Sequence, residues 1–378
     1  MTAAFDVDGL LADRCRRVIV CCGSGGVGKT TTAASMAVRA ADAGRKVVVL
    51  TIDPARRLAQ ALGLNELDNA ARRVDGVGSA DGGLLDAAML DMKTTFDDLI
   101  LTHARPDKAR QILANPIYQS LSSSFAGTQE YMAMERLGQL LAEAERTGSH
   151  DLIVVDTPPS RSALDFLDAP ERLAGFLDGR FVRLLAAPTR GPLRLLSAGL
   201  GMATSMMTKI VGSQLLSDMS SLAAALDTVF GGFRERAERT YRLLGRPSTA
   251  FVVVATPDAD TLREASYFAG RLSEQRMPLV GLVLNRVVRP VSGLSLDRAR
   301  VARDRLLAGP SSPTAELAAE LLALHAESAT AAAVGTRLAD RFAAAHPGLP
   351  SVQVPGLPTD VHDIKALREV GRYLATRG

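Results

Sequence analysis

The sequence predicts an α/β fold, a doubly wound and mostly parallel sheet with helices on both faces and an inserted helical subdomain. Three observations carry this expectation. Short β-branched runs recur in both halves of the chain, helical spacing separates most of them, and residues 165–245 lose the β-run signal altogether. The chain has 378 residues, 47% of them hydrophobic, with 44 basic against 41 acidic side chains, which excludes global disorder and leaves ample chain for a core.

In chain order, RRVIVCC reads as a strand, GSGGVGK as a glycine-rich turn, TTTAASMAVRAADAG as a helix and RKVVVLTID as a second strand. Strand, loop, helix and strand in that order make a parallel pair with a helical crossover. Further strand-like runs lie at 84–90, 152–155, 250–255 and 280–284, with a weaker one at 352–354. Apolar throughout and separated by helices, they fit one parallel sheet covered on both faces and assembled from both ends of the chain. Residues 94–146 are helical in pattern. The stretch 165–245 is rich in Leu and Ala and carries Met202, Met206, Met207 and Met219. Alanine-rich helices near 315–345 are expected in the outer layer of the α/β domain.

A formal net charge of +3 gives no strong polyanion-binding field, so nucleic acid is not an expected partner. The three cysteines, Cys15, Cys21 and Cys22, fall within eight residues and cannot make a Cys-x-x-Cys zinc or redox site. They are expected to be buried strand cysteines in a reducing compartment. Residues 1–15 lack a basic leader, and no run of about 18 uncharged apolar residues occurs. The expectation is a cytoplasmic protein, any membrane contact being peripheral.

The strongest chemical signal is Gly23-Ser24-Gly25-Gly26-Val27-Gly28-Lys29-Thr30, which satisfies G-x-x-x-x-G-K-[ST] between a predicted strand and a predicted helix. Glycines let the backbone curl so that N–H groups converge on phosphate oxygens, and the helix opening near Lys29 adds its positive end. Lys29 then bridges β- and γ-phosphates and the Thr30 hydroxyl can ligate Mg²⁺. This is a nucleoside triphosphate site. A magnesium site also needs a carboxylate on a neighbouring strand end, and Asp156 closes the apolar run LIVVD. Thr157-Pro158-Pro159-Ser160 follows, rigid and polar, suited to report on a γ-phosphate. Asp53 ends the second strand on the same sheet edge, where it could orient the attacking water. The alternative is a helix N-cap with Pro54 at N1. We therefore read residues 1–378 as one P-loop domain, with a core of about 14–93, 147–165 and 246–378 and a helical subdomain of about 94–146 and 166–245.

The loop GSGGVGKTT, the strand-end DPA at 53–55 and DTPPSRSALDFL at 156–167 together resemble the arsenite-pump ATPase family. That family includes the ATPases that escort tail-anchored membrane proteins and, more distantly, MinD- and nitrogenase-iron-protein-like ATPases. The similarity is greatest to actinobacterial arsenite-ATPase-like proteins, and it runs over most of the chain, since VLNR at 283–286 and PGLP at 355–358 resemble the adenine-side segments. The resemblance implies ATP held by Gly25, Gly26, Val27, Gly28, Lys29, Thr30 and Thr31, and water activation by Asp53. It also implies Mg²⁺ on Thr30 with Asp156 acting through water, Asn285 on adenine, and Pro355 and Gly356 beside the base. Asp156 would couple the nucleotide to the helical subdomain.

Three departures matter. Family P-loops carry a lysine where this chain has Ser24, and that lysine reaches across a dimer to the partner's phosphates. A homodimer of this chain lacks that cation, so a lysine-bearing paralogue pairs with it, or an arginine substitutes, or hydrolysis is slow. Arg56 and Arg161 are candidate substitutes, or else surface arginines. The zinc-binding Cys-x-x-Cys of the escort proteins is missing, so no structural zinc is expected, and no distributed cysteines support metalloid binding. The expected function is that of a Mg²⁺-dependent ATPase whose dimer opening and closing controls a hydrophobic client or membrane-associated partner. The alternatives are a nucleotide-binding regulatory subunit of a heterodimer and the energising ATPase of an anion or metalloid transporter. The methionines of 202–219 fit a client groove, or helical core or dimer contact.

Overall fold

In the computed structural model, residues 3–53, 55–79, 81–115, 118–119, 129–158, 233–290 and 292–375 are described. The methionine-rich stretch, Pro159, Ser160 and Arg161 lie outside them. The chain divides into two compact units, one made of Met1–Met89, Ala144–Leu164 and Leu244–Gly378, the other of Leu90–Glu143 and Asp165–Leu243.

The first unit is built on an eight-stranded sheet: β1 (Val18–Cys22), β2 (Lys46–Thr51), β3 (Arg72–Arg73), β4 (Leu84–Met89), β5 (Leu152–Asp156), β6 (Thr249–Ala255), β7 (Leu279–Val287) and β8 (Ser351–Pro355). Their order across the sheet is β3-β4-β2-β5-β1-β6-β7-β8. All neighbours pair in parallel except β3 with β4. Only β3 was absent from the sequence reading, because two exposed arginines carry no periodicity. Every residue of β1, β5 and β6 is buried, which is why these strands read as unbroken apolar runs.

From β1 the chain crosses to β2 and on to β4, returns to place β5 between β2 and β1, and then continues on the other side of β1 as β6, β7 and β8, and ligands of such sheets bind at the carboxyl ends of the strands at that switch point. Register brings the right groups together at that edge: Cys21 pairs with Asp156, and Asp156 with Thr51.

The helices of this unit are α1 (Val7–Ala12), α2 (Lys29–Asp42), α3 (Arg57–Ala61), α8 (Ala259–Glu274), α9 (Leu296–Ala308), α10 (Pro313–Ala345) and α11 (Ile364–Ala375). Alanines let α2 lie close on the sheet, with Ala33, Ala34, Ala37, Ala40 and Ala41 all buried. Where several helices were expected near 315–345, α10 is one helix of 33 residues. It meets the length and composition of a membrane span, with an 18-residue window of mean hydropathy 1.2, yet it carries Glu320 and Glu327 and is mostly exposed. Cys21 and Cys22 are buried in β1, but Cys15 is exposed, because it precedes the strand in the turn that follows α1.

At the opposite edge of the sheet Arg45 is 1% exposed. Its five N–H groups donate to Asp151 Oδ1 at 2.7 Å, Asp151 O at 2.8 Å, Arg16 O at 2.7 Å, and Leu11 O and Asp13 O at 3.1 Å each. A buried cation is tolerable when every donor is satisfied in this way.

The described part of the second unit is helical. It contains α4 (Met92–His103), α5 (Pro106–Leu113) and most of α6 (Gln129–Thr147) and α7 (Phe233–Leu244). Asp91 caps α4 through Thr94 N at 2.7 Å, so the helix opens at Met92, two residues before the expected start. A part-buried ion pair, Arg236 Nε to Glu135 Oε2 at 3.1 Å, ties α7 to α6.

Candidate nucleotide site

Strand β1 ends in the glycine loop, and α2 begins at Lys29 with Gly28 as its N-cap. Two glycines there have steric reasons. Gly23 has φ +152° and a Cβ would lie 2.1 Å from Val254 O; Gly28 has φ +93° and a Cβ would lie 2.2 Å from Asn285 Nδ2. The loop thus packs against β6 and β7 at distances only a backbone without side chains allows.

Lys29 is 5% exposed, and its Nζ donates to Ser24 O at 2.7 Å, folding back over the loop. Burial lowers its pKa, while Asp156 and Asp53 favour its charge. Thr30 Oγ1 donates to Asp156 Oδ2 at 2.8 Å, and Thr51 Oγ1 donates to the same oxygen at 2.9 Å. Thr51 was read only as a strand end; a hydroxyl at the end of an apolar strand in register with Asp156 was the available signal. The other oxygen, Asp156 Oδ1, is buried without a hydrogen-bond partner among the described residues. A hydroxyl joined to a carboxylate that has a spare buried oxygen is the hard-oxygen donor set magnesium takes, so Thr30 and Asp156 fit the ion.

Asp53 is buried and accepts from Ala55 N at 3.0 Å; its own N–H donates to Thr51 Oγ1 at 3.2 Å. It does not cap α3, whose N-cap is Arg56. Thr157 Oγ1 donates to Cys21 O at 2.9 Å, anchoring the chain just past β5. Asn285 Nδ2 donates to Val27 O at 2.8 Å and Asn285 Oδ1 accepts from Arg286 N at 2.9 Å, in a bulged part of β7 where Arg286 has φ +56°.

A cleft of about 770 Å³ collects Gly26, Gly28, Lys29, Thr30, Thr31 and Asp53 from the phosphate end and Asn285, Pro355 and Gly356 from the far end. That volume suits a nucleotide-sized ligand. Of the sequence candidates, Gly25 is exposed outside the lining, Val27 turns its side chain into the core while its carbonyl accepts from Asn285, and Asp156 is buried and does not line the cleft. Arg56 is exposed and does not line the cleft. Arg57 does, and its charge acts on Lys29. Arg56 and Arg161 were the arginines named from the sequence; Arg161 lies outside the described residues, and only the starting phase of α3 separates Arg56 from Arg57.

The family model described as Anion-transporting ATPase matches residues 16–293. The chain belongs to the anion-transporting ATPase family. Its similar proteins include ATPase GET3B of Arabidopsis thaliana, 27% identical over 313 residues that cover 76% of this chain and 68% of the relative. ATPase get3 of Aspergillus terreus is 26% identical over 284 residues, covering 74% and 76%, and ATPase GET3 of Podospora anserina 26% over 295 residues, covering 78% and 80%. This family member is an ATP hydrolase on the doubly wound fold read from its sequence. The matched stretch spans the phosphate loop, Asp53, Asp156 and Asn285, and stops before α9.

Burial dominates the Asp156 carboxyl and pushes its pKa from 3.8 to about 6, against hydrogen bonds from Thr30 and Thr51 and the charge of Lys29. A carboxyl raised in the folded state gives stability that is complete below pH 3.8 and lost as the pH climbs through about 6. The nucleotide-free enzyme above pH 6 therefore bears an ionisation cost of about 3 kcal/mol at this residue. Asp156→Asn removes it. The variant is expected to melt higher than wild type near pH 7.5 and with little difference near pH 4, while Mg²⁺-dependent hydrolysis falls at least about 100-fold. Melting curves at the two pH values together with steady-state phosphate release check this, and equal melting at both would contradict it.

Proposed function

We propose that ATP binding and hydrolysis switch this ATPase between closed and open dimers, and that the switch controls a hydrophobic client or membrane-associated partner. The reading rests on the composition of the cleft, where the phosphate loop, Asp53 and Arg57 after β2, and Thr157 after β5 line one cavity. A γ-phosphate placed there touches both segments, so ATP and ADP differ in the contacts they offer.

In this mechanism the loop N–H groups and Lys29 hold the β- and γ-phosphates, which draws Lys29 Nζ away from Ser24 O. Thr30, and Asp156 through water, would hold Mg²⁺, which would neutralise charge on the phosphate oxygens. Asp53 orients the attacking water and accepts its proton. The second N–H of Asn285 Nδ2 would donate to the adenine base, with Pro355 and Gly356 lining the same end of the cleft. Cytoplasmic placement with peripheral membrane contact belongs to the same proposal.

Ser24 cannot send a cation across a dimer; its hydroxyl is buried, with no partner among the described residues. Arg57 supplies that charge from within the same chain. It makes no ion pair among the described residues, so its guanidinium is free to meet phosphate. Arg57→Ala is expected to lower turnover about 10- to 100-fold with nucleotide affinity within a few-fold of wild type. Small-angle X-ray scattering with and without a non-hydrolysable ATP analogue tests the switch itself, and a dimer whose dimensions do not change with the analogue argues against it. The buried Ser24 also favours a second reading, a heterodimer with a lysine-bearing paralogue. Turnover that ignores Arg57→Ala and rises on adding such a partner would select it.

A further inference from the structure

A second cavity of the first unit, about 670 Å³ in volume, lies between α1, the C-terminal end of α2 and α11. No residue lines both this cavity and the nucleotide cleft. On α11 two consecutive residues divide them: Val370 lines the cleft, and Gly371 lines the second cavity. Helix α11 lies close on α2 at that point, where a Cβ on Gly371 would sit 3.6 Å from Ser35 O and 3.8 Å from Arg39 Cβ.

Cations dominate the lining. Lys365, Arg368 and Arg372 fall three and four residues apart, on one face of α11, and Arg39 joins them from α2. Two of the four are held in place. Arg39 donates to Asp8 from Nε at 2.5 Å and Nη2 at 2.7 Å, and Arg368 donates to Asp42 from Nε at 2.7 Å and Nη2 at 3.0 Å. Such forked pairs fix the guanidinium planes and leave the Nη1 groups without a partner among the described residues. Lys365 and Arg372 are exposed and form no ion pair among the described residues. Four positive charges against Asp8 and Asp42 leave a surplus of two, from which the carbonyl end of α2 takes about half a charge. Around these groups the wall is apolar, made by Leu11, Ala12 and Ala43.

We propose that this cavity is a second ligand site, taking a phosphate monoester with an apolar body while nucleotide occupies the cleft. The charge matches, since a phosphate monoester carries about −1.5 to −2 near pH 7. Its three oxygens accept from Lys365, Arg372 and the two uncommitted Nη1 groups, and the apolar body lies on Leu11 and Ala12. The volume is that of a small-molecule site. A bare inorganic anion would satisfy the cations and leave the apolar wall wet.

Calorimetric titration of phenyl phosphate into the full chain tests this, with the nucleotide cleft saturated by Mg²⁺ and a non-hydrolysable ATP analogue. One site of submillimolar affinity is expected. Lys365→Ala with Arg372→Ala should weaken it at least about tenfold. Ala43→Glu should weaken it as much by adding a negative charge to the wall while removing no donor. All three positions are exposed, so circular dichroism and ATP hydrolysis should stay at wild-type levels. Inorganic phosphate should bind at least about tenfold more weakly than phenyl phosphate. Flotation with phosphatidic acid vesicles that the double variant abolishes would assign the ester to a lipid headgroup, and no flotation would assign it to a soluble molecule. Absence of binding with the cleft filled, binding that the variants leave unchanged, or inorganic phosphate bound as tightly as the ester would each overturn the proposal.

Discussion

Lys29→Ala is expected to cut ATP turnover by about a thousandfold and to weaken nucleotide binding along with it. The side chain is the one buried cation at the phosphate end of the cleft among the described residues, and its Nζ already sits on the loop carbonyl of Ser24 at 2.7 Å. Its charge is favoured by Asp156 and Asp53 against the cost of burial. Removing it deprives the phosphates of their closest counter-charge and leaves Asp156 without the cation that favours its ionised form. The two sites therefore couple: Lys29→Ala combined with Asp156→Asn should leave the chain more stable than the sum of the separate effects, because the interaction they share is lost only once. Phosphate release, nucleotide titration and melting of the three variants measure this. Turnover within tenfold of wild type would remove Lys29 from the chemistry.

Asp53→Asn should separate binding from hydrolysis. The substitution keeps shape and keeps an oxygen for Ala55 N, so the turn after β2 and nucleotide affinity are expected to survive within a few-fold. What disappears is the carboxylate that takes the proton of the attacking water, a loss of about 10²- to 10³-fold in single-turnover hydrolysis. If hydrolysis persists, the role of Asp53 reduces to fixing the turn through Ala55, and the base must be sought elsewhere in the cleft.

Much of this was readable from the residues because the central strands are buried on both faces and so spell themselves as apolar runs closed by a polar group. Asp156 and Asp53 were found that way, and the glycine loop by its spacing. What the sequence hid is a matter of phase and partnership. Arg56 and Arg57 are equivalent until α3 has a first residue. Thr51 looks like any strand end until register sets it beside Asp156. Asn285 was read toward adenine, and its tie to Val27 O depends on a bulge in β7 that no periodicity announces. Helix α10 shows its apolar stripe plainly, but a stripe does not say whether it faces its own sheet or the outside. Cys15 was grouped with its strand neighbours because nearness in sequence mimics membership of an element.

Arg45 gives the sheet a mechanical asymmetry. One rim is clamped by five hydrogen bonds from a single guanidinium to residues of the N-terminal segment and the base of β5, whereas the other rim is tied by threonine hydroxyls and one asparagine amide. Motion during turnover is thus confined to one end, like a fan held at its rivet. The loops at the open rim can swing as phosphate comes and goes while strand register stays fixed at the clamped one. Amide exchange should accordingly be slowest at the start of β2 and β5 and insensitive to nucleotide there, with all of the nucleotide-dependent protection appearing beyond Thr51 and Asp156.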